Sequence, residues 1–400
     1  MGSKTKQTIW TKGYTCAFLA NVLLCFSQHS VNTLISTYAA FLGAGAVLVG
    51  TISGLYFAVA FAARPFSGPA ITILNQKKLL IYVYLAGVVT NVVYAFAGNI
   101  ALFIVARILH GLQFAFVGSL SLTIASDSLP QEKLGSGIGA FGIGSALAQA
   151  IGPGLGIAVR DFGTEHWGEG GAYRAVFLMA ALFMLLAAIP AIMLPDKAQD
   201  AEKRKSLGVW YRNIISTETL LPTALLGLVS LASMLYSAYM LPYAESLGIP
   251  SIALFFTVYA IVLLVARPFF GRLADRADMK YVVIPSFLLF IASFVVVGLA
   301  RSLPLMLVAA VLAAAGFGAL SPAIQTICIK TVSPERRGVA SNTQYFGMDL
   351  GYFLGPFLGG FVYKYTNYSA MYMITGIIPL ALGLFIFMIT WNKLKKRLYG

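Results

Sequence analysis

The sequence predicts an all-α integral membrane protein, with twelve transmembrane helices in two pseudo-symmetric six-helix bundles. Three observations predict it. Hydrophobic residues make up 59% of the 400-residue chain and charged residues only 10%, whereas soluble domains carry about one quarter charged residues to face water. Apolar stretches of about 20 residues, the length that crosses a hydrocarbon core, recur twelve times along the chain. Short motifs also repeat at nearly one spacing between the two halves.

The expected spans are 13–40, 47–67, 79–97, 100–124, 136–158 and 172–194 in the first half. Those of the second half are 217–245, 251–270, 280–299, 304–330, 337–363 and 368–391. This gives a bundle over 1–194, a cytoplasmic linker over 195–216 and a second bundle over 217–400. The linker carries the run Asp196-Lys197-Ala198-Gln199-Asp200-Ala201-Glu202-Lys203-Arg204-Lys205, a solvated connection.

The net charge of +14 belongs to topology rather than to a nucleic-acid partner. With these spans, 23 Lys and Arg residues fall on one side and four on the other (Arg160, Arg174, Arg301 and Lys364), with Arg107 left inside the membrane. Basic loops stay cytoplasmic. An even number of spans then places both termini in the cytoplasm, with the protein multi-pass in the cell (inner) membrane and lipid as its surroundings. Cys16, Cys25 and Cys328 lie in apolar stretches without CxxC spacing, and His29, His110 and His166 show no ligand spacing. No metal site is expected. Gly137-Ile138-Gly139-Ala140-Phe141-Gly142 fits G-x-G-x-x-G on paper but lies inside a membrane span without the strand that a dinucleotide fold needs. No cofactor is expected, and no Walker A sequence supplies ATP.

The repeat is specific. Ala63-Arg64-Pro65-Phe66-Ser67-Gly68 returns 203 positions later as Ala266-Arg267-Pro268-Phe269-Phe270-Gly271, and Gly152-Pro153 returns as Gly355-Pro356 at the same offset. Tyr38-Ala39 with Leu42-Gly43 returns 205 positions later as Tyr243-Ala244 with Leu247-Gly248. Duplicated membrane folds of this kind place their binding site near the bilayer midplane, at the interface of the repeats.

Gly271-Arg272-Leu273-Ala274-Asp275-Arg276-Ala277-Asp278-Met279-Lys280 resembles the loop signature of the major facilitator superfamily. Arg107-Ile108-Leu109-His110-Gly111 resembles its fourth-helix motif. Gly144 through Gly152-Pro153-Gly154-Leu155-Gly156 resembles the fifth-helix motif of antiporters, and Ser333-Pro334-Glu335-Arg336-Arg337-Gly338 resembles the usual entry to helix 11. The resemblance covers essentially the whole chain. It implies the major facilitator fold, a monomer, and the proton-linked drug and metabolite efflux (antiporter) branch. It also implies a cytoplasmic latch at Arg267, Gly271, Asp275 and Arg276 that stabilises the outward-open state. The loop after the second span departs from the signature: Gly68-Pro69-Ala70-Ile71-Thr72-Ile73-Leu74-Asn75-Gln76-Lys77-Lys78 has no Asp, which shifts the latch towards the second-half copy.

Asp349 is the one acidic residue deep within an expected span. A charged carboxylate there costs about 2.5–3.5 kcal/mol on insertion scales, and burial favours its protonated form. It reads as the protonation site; a structural ion pair and a substrate contact are the alternatives. Arg107 is its basic counterpart and keeps its charge in any protein environment. The superfamily links this arginine to proton transfer, while its bidentate fork would also suit an anionic substrate. His110, one turn away, can change charge near neutral pH or serve as a packing residue.

Asn21, Cys25, Gln28 and Asn32 fall on one line of the first helix. Such a stripe either faces a watery cavity or bonds to neighbouring helices. Tyr236, Met240 and Tyr243 around Pro242, with Ser321, Gln325 and Cys328, offer area and a few hydrogen bonds to an amphipathic organic molecule, or ordinary packing. Proline bends a helix and glycine lets backbones approach, so Gly152, Pro153, Gly355 and Pro356 are expected where the halves meet and rock. The leading reading is proton-coupled export of a small amphipathic compound by alternating access. A carrier of an organic anion bound by Arg107 is the alternative, and a membrane sensor or scaffold that kept a transporter fold is a third. No nucleophile–base constellation points to an enzyme.

Overall fold

The computed structural model of the protein describes residues 9–129, 134–195, 215–276, 278–332 and 337–399, and their regular structure is helical. The first span is a bent pair, α1 (Lys12–Asn32) and α2 (Ile35–Phe41), turned by 41°. Then follow α3 (Ala46–Ile73), α4 (Gln76–Ala95) and α5 (Ile100–Asp127). The fifth and sixth spans share one element, α6 (Leu134–Ile192), broken at Gly168, whose φ of 70° needs a residue without a Cβ. After a 3₁₀ turn at Thr217–Thr219 come α7 (Leu220–Ser246), α8 (Ala253–Arg276), α9 (Lys280–Leu299), α10 (Leu303–Lys330) and α11 (Arg337–Tyr365). The last span, α12, joins Tyr368–Met371, a π-helical stretch Tyr372–Ile377 and Ile378–Tyr399.

Among the described residues, eight helices are long and apolar enough to cross a membrane, and the α1–α2 pair makes a ninth. The second pass of α6 adds another. The set of twelve is completed by α8, with its shorter apolar stretch Ala253–Ala266, and by α11, which carries Asp349 and Lys364. Several helices run past the hydrocarbon length that fixed the expected spans, because a helix satisfies its own backbone in water as well as in lipid.

Helix lengths carry the duplication. α4 and α9 each have 20 residues and begin at Gln76 and Lys280; α5 and α10 each have 28 and begin at Ile100 and Leu303. Contacts divide the chain into two compact units, residues 1–31 with 63–208 and residues 32–62 with 209–400. The continuous helix α3 therefore contributes 46–62 to the second unit and 63–73 to the first.

In the first unit, Tyr14, Leu24, Leu80, Tyr84, Leu120, Phe141 and Met184 from α1, α4, α5 and α6 form one core. Three glycines of α6 set its approach to α1. A Cβ at Gly144 would press on Phe18 and Val22, one at Gly152 on His29, and one at Gly156 would overlap the Ser30 carbonyl.

The second unit repeats this device. Gly347, Gly351, Gly355 and Gly359 recur every fourth residue on α11 and meet Thr223, Gly227, Leu231 and Leu235, every fourth residue on α7. At the middle pairs a Cβ would overlap the opposing carbonyl. Such spacing packs the i±4 ridges of two helices together. The other side of α11 meets α3 through Gly50 and Gly54, and the Tyr239 hydroxyl donates to the Pro356 carbonyl at 2.7 Å beside Gly50 and Gly360.

The repeated Leu-Gly has a backbone cause. Gly43 and Gly248 both take positive φ (88° and 65°) just past α2 and α7. In each case the next residue donates five positions back, Ala44 to the Ala39 carbonyl and Ile249 to the Ala244 carbonyl. This is the Schellman cap, for which only glycine is unstrained.

Gly351→Val is expected to destabilise the protein by about 2 kcal/mol or more through overpacking. Gly118→Ala, where a Cβ would have nothing within 4 Å, should be neutral or gain up to about 1 kcal/mol from helix propensity. Thermal unfolding of the purified protein in detergent distinguishes them, and equal effects would remove the seam's claim to close contact.

Candidate functional site

The deep charges are held by different means in the two units. In the first, Arg107 is 1% exposed on α5. Its guanidinium lies within hydrogen-bonding reach of the Tyr94 hydroxyl on α4, and the same hydroxyl lies 3.4 Å from Nδ1 of His110. Tyr94 is locked in place by stacking on Phe177 of α6 (centroids 5.1 Å apart) and by Phe103. Two expected coupling residues are thus brought together, and a third member, Tyr94, was missed. Its signal was present: Tyr84, Gly87, Asn91 and Tyr94 form a polar and small stripe at helical spacing on α4.

Arg64 was also missed. It is counted among the cytoplasmic-side charges near the end of the expected span 47–67; α3 continues to Ile73, and Arg64 is buried (8% exposed), with its guanidinium 5.9 Å from the Phe114 ring centroid. A charge over an aromatic face is partly compensated for lost water.

The polar line of α1 divides. Asn21 Nδ2 donates to Ser145 Oγ of α6 at 3.0 Å, and Cys25 Sγ approaches the same oxygen at 3.5 Å. Gln28 is buried, and its Nε2 has no hydrogen-bond partner among the described residues. Asn32 ends α1 at the bend.

In the second unit Asp349 is 2% exposed, the one acidic residue among the buried polar side chains of the described residues. Flanked by Gly347 and Gly351, it lies two residues from each and so on the opposite side of α11 from α7. That side also carries Phe346, Tyr352 and Phe353, which meet Phe61, Phe57 and Gly54 of α3.

The candidate contact residues of α7 are engaged within this unit. Tyr236 bonds to Ser293 of α9 at 2.7 Å and stacks on Phe294 and Tyr372. The Tyr243 hydroxyl donates towards the Val297 and Ala300 carbonyls and accepts from Arg301 Nη1 at 2.8 Å. Met240 is fully buried on α7. Gln325 Nε2 donates to Ser321 Oγ, one turn away on α10.

Gly152 seats on α1 and Gly355 on α7, each with its proline, in seams inside one unit. Arg267, Gly271, Asp275 and Arg276 lie on helical backbone, but their side chains fall outside the described residues, as do Ser333–Arg336 entirely. Among the described residues, no three His, Cys, Asp or Glu side chains gather as a metal site.

The family model described as Major Facilitator Superfamily matches residues 17–249 and 223–398. The chain belongs to the major facilitator superfamily. As a member it is a secondary transporter. It is 24% identical over 404 residues to the Multidrug resistance protein MdtG of Escherichia fergusonii, covering 97% of this chain and 96% of that protein. It is 25% identical over 379 residues to the Staphylopine export protein of Staphylococcus aureus, covering 92% and 93%. Among solved structures, a bacterial homologue of the human lysosomal transporter Spinster, inward-facing and unoccupied, superposes with a TM-score of 0.76 at 15% identity, over 99% of this chain and 98% of that one. The peptide transporter POT in complex with sulfate superposes with a TM-score of 0.77 at 15% identity, over 100% and 97%. At those identities the structures share the superfamily fold.

Tyr243→Phe removes the hydroxyl that Arg301 shares and is expected to cost about 1–2 kcal/mol. Tyr236→Phe loses one neutral hydrogen bond and should cost about 1 kcal/mol. Thermal unfolding of both variants checks the order, and a reversed order would mean that Arg301 does not depend on Tyr243.

Proposed function

We propose that this protein exports a small amphipathic organic compound across the cell (inner) membrane in exchange for protons, by alternating access, as a monomer with both termini cytoplasmic. The observation that carries this reading is Asp349, a carboxylate 2% exposed in the middle of α11. A buried acid costs least when protonated and is charged only when water or a ligand reaches it. Proton loading and release are then tied to which side of the membrane the site communicates with, as antiport requires. The likeness to a multidrug resistance protein and to a staphylopine export protein supports export of an organic molecule.

In this reading Arg107 and His110, joined through Tyr94, organise the charge of the first unit. Asn21, Gln28, Asn32, Tyr236, Met240, Tyr243 and Gln325 are the candidates for substrate contact. Gln28 is the strongest of them, because its donor is unused in the described structure. Arg107 as a direct ligand for an organic anion is the second reading; its burial against Tyr94 favours the organising role.

The test is a panel of organic cations, neutral amphiphiles and organic anions in proteoliposomes with an imposed pH gradient. Acid on the outer side should drive substrate outward, and a protonophore should stop it. Asp349→Asn should reduce proton-driven transport on the order of tenfold or more and remove its pH dependence, while substrate exchange without a gradient continues. Full proton-driven transport by Asp349→Asn would overturn the assignment. Substrate accumulation with the proton flow would make the protein an importer, and no transport of any class would leave a sensor or scaffold.

A further inference from the structure

The stripe that carries Tyr94 continues down α4 and is matched from α5. Tyr94 meets Arg107 and His110, Gly87 meets the Gln113 amide, and Tyr84 comes up to Ser121. Asn91 lies one turn from both Tyr94 and Gly87. From Tyr84 to Tyr94 the column runs about 15 Å along α4, about half the hydrocarbon thickness. On its third side α6 supplies Phe177 and Met184.

Its two amide side chains are incompletely bonded. Asn91 is 1% and Gln113 4% exposed. Asn91 Nδ2 donates to the Gly87 carbonyl at 2.8 Å and Gln113 Nε2 to Met184 Sδ at 3.6 Å. Their oxygens, Asn91 Oδ1 and Gln113 Oε1, find no donor among the described residues. Turning Asn91 around would set its oxygen against the Gly87 carbonyl, so the orphan remains an acceptor.

The fold itself does not ask for these groups. The duplicated pair, α9 and α10, has the same lengths, joined by three residues in place of four. At the repeat offset of 203 Ala310 stands for Arg107, Ala313 for His110, Gly316 for Gln113, Phe294 for Asn91 and Val297 for Tyr94. There Gly316 lies directly against Phe290, and Phe287, Phe290 and Phe294 are fully buried. One seam is filled with rings; the other holds amides, a histidine, a tyrosine and a guanidinium. A buried polar set with unused acceptors is the setting in which proteins hold internal water, which needs two to four polar partners.

We propose that the α4–α5 seam is a water-binding site, with internal water donating to Asn91 Oδ1 and Gln113 Oε1 and solvating the Arg107–His110 pair. The titratable and charged groups facing it are Arg107 and His110 from α5 and Tyr84 and Tyr94 from α4, with Cys25 of α1 near Tyr84. The water adds to the polar surrounding of Arg107 at membrane depth and extends the Tyr94 contact of His110 into a route for proton exchange. The site stands whatever the protein transports.

Radiolytic hydroxyl labelling of the full-length protein in nanodiscs tests this, read by mass spectrometry at two methionines with no exposed surface. Met184 touches Gln113, and Met306 lies on α10. Bound water beside Met184 should make its oxidation on the order of tenfold faster than that of Met306. Asn91→Leu with Gln113→Leu should bring Met184 down to the Met306 rate. The wild-type comparison needs no variant, and equal rates there overturn the proposal. The sign of a melting shift is independent: removing an orphan acceptor from a dry seam raises the melting temperature of Asn91→Leu, whereas stripping water from Arg107 lowers it. A raised melting temperature would also overturn the proposal.

Discussion

Close approach of helix backbones is the constraint on which this architecture rests. In lipid there is no hydrophobic gain from bringing two apolar helices together, so association relies on van der Waals contact and weak polar contacts along the seam. Gly347, Gly351 and Gly355 bring the α11 backbone against the α7 carbonyls, and Gly156 does the same for α6 against Ser30 of α1. At such distances Cα–H groups face carbonyl oxygens, each contact worth about 0.5–1 kcal/mol. The energy comes from repetition along the helix. This is why the glycines recur at four-residue intervals and why the seam returns in the same helix pair of each half.

The polar groups follow from the same scarcity of water. Each deep charge needs a local partner, and the partners differ in kind. Arg107 has the Tyr94 hydroxyl and Arg64 has an aromatic face. Asp349 lies on the α11 side occupied by Phe346, Tyr352 and Phe353. The duplication makes these choices legible as additions. At the repeat offset of 203 the counterpart of Arg107 is Ala310 and that of Asp349 is Ala146, both buried. Each half keeps one deep charge where the other has a methyl group. Symmetric packing thus coexists with asymmetric chemistry, and only the chemistry sets the two halves apart.

Much of the fold was open to reading from residues alone, because hydropathy and glycine spacing are local signals. The Leu42-Gly43 and Leu247-Gly248 repeat could be seen without knowing its cause, a pair of left-handed helix caps. The Gly152 and Gly355 repeat likewise pointed to close packing, although the sequence could not say that their partners are α1 and α7. What stayed hidden depends on distant pairing. Ser145 accepting from Asn21, or Tyr94 joining Arg107 to His110, needs two helices to be aligned, and no spacing within one helix encodes that. The burial of Arg64 was hidden for another reason. A basic residue followed by proline and glycine looks like the end of a span, yet the backbone stays helical for nine residues beyond it.

The placement of Asp349 shows how the two demands on α11 are reconciled. A helix that must be held tightly and also carry a carboxylate cannot do both on one face, since side chains keep backbones apart. With glycine at 347, 351, 355 and 359, the face towards α7 comes close enough at Gly351 and Gly355 for backbone to meet backbone. The opposite face is then free to carry large and ionisable side chains without loosening the seam. A two-residue step along a helix turns about 200°, which carries the chain from Gly347 to Asp349, and a second step brings it back to Gly351. The pattern Gly-Met-Asp-Leu-Gly is therefore one unit, with glycines that fix the helix and an acid that the fixed helix presents. In α6, Ser145 follows Gly144 at the corresponding place, and Ala146 stands where the acid would be. The first half has kept the anchoring and directed its polar group to Asn21 instead.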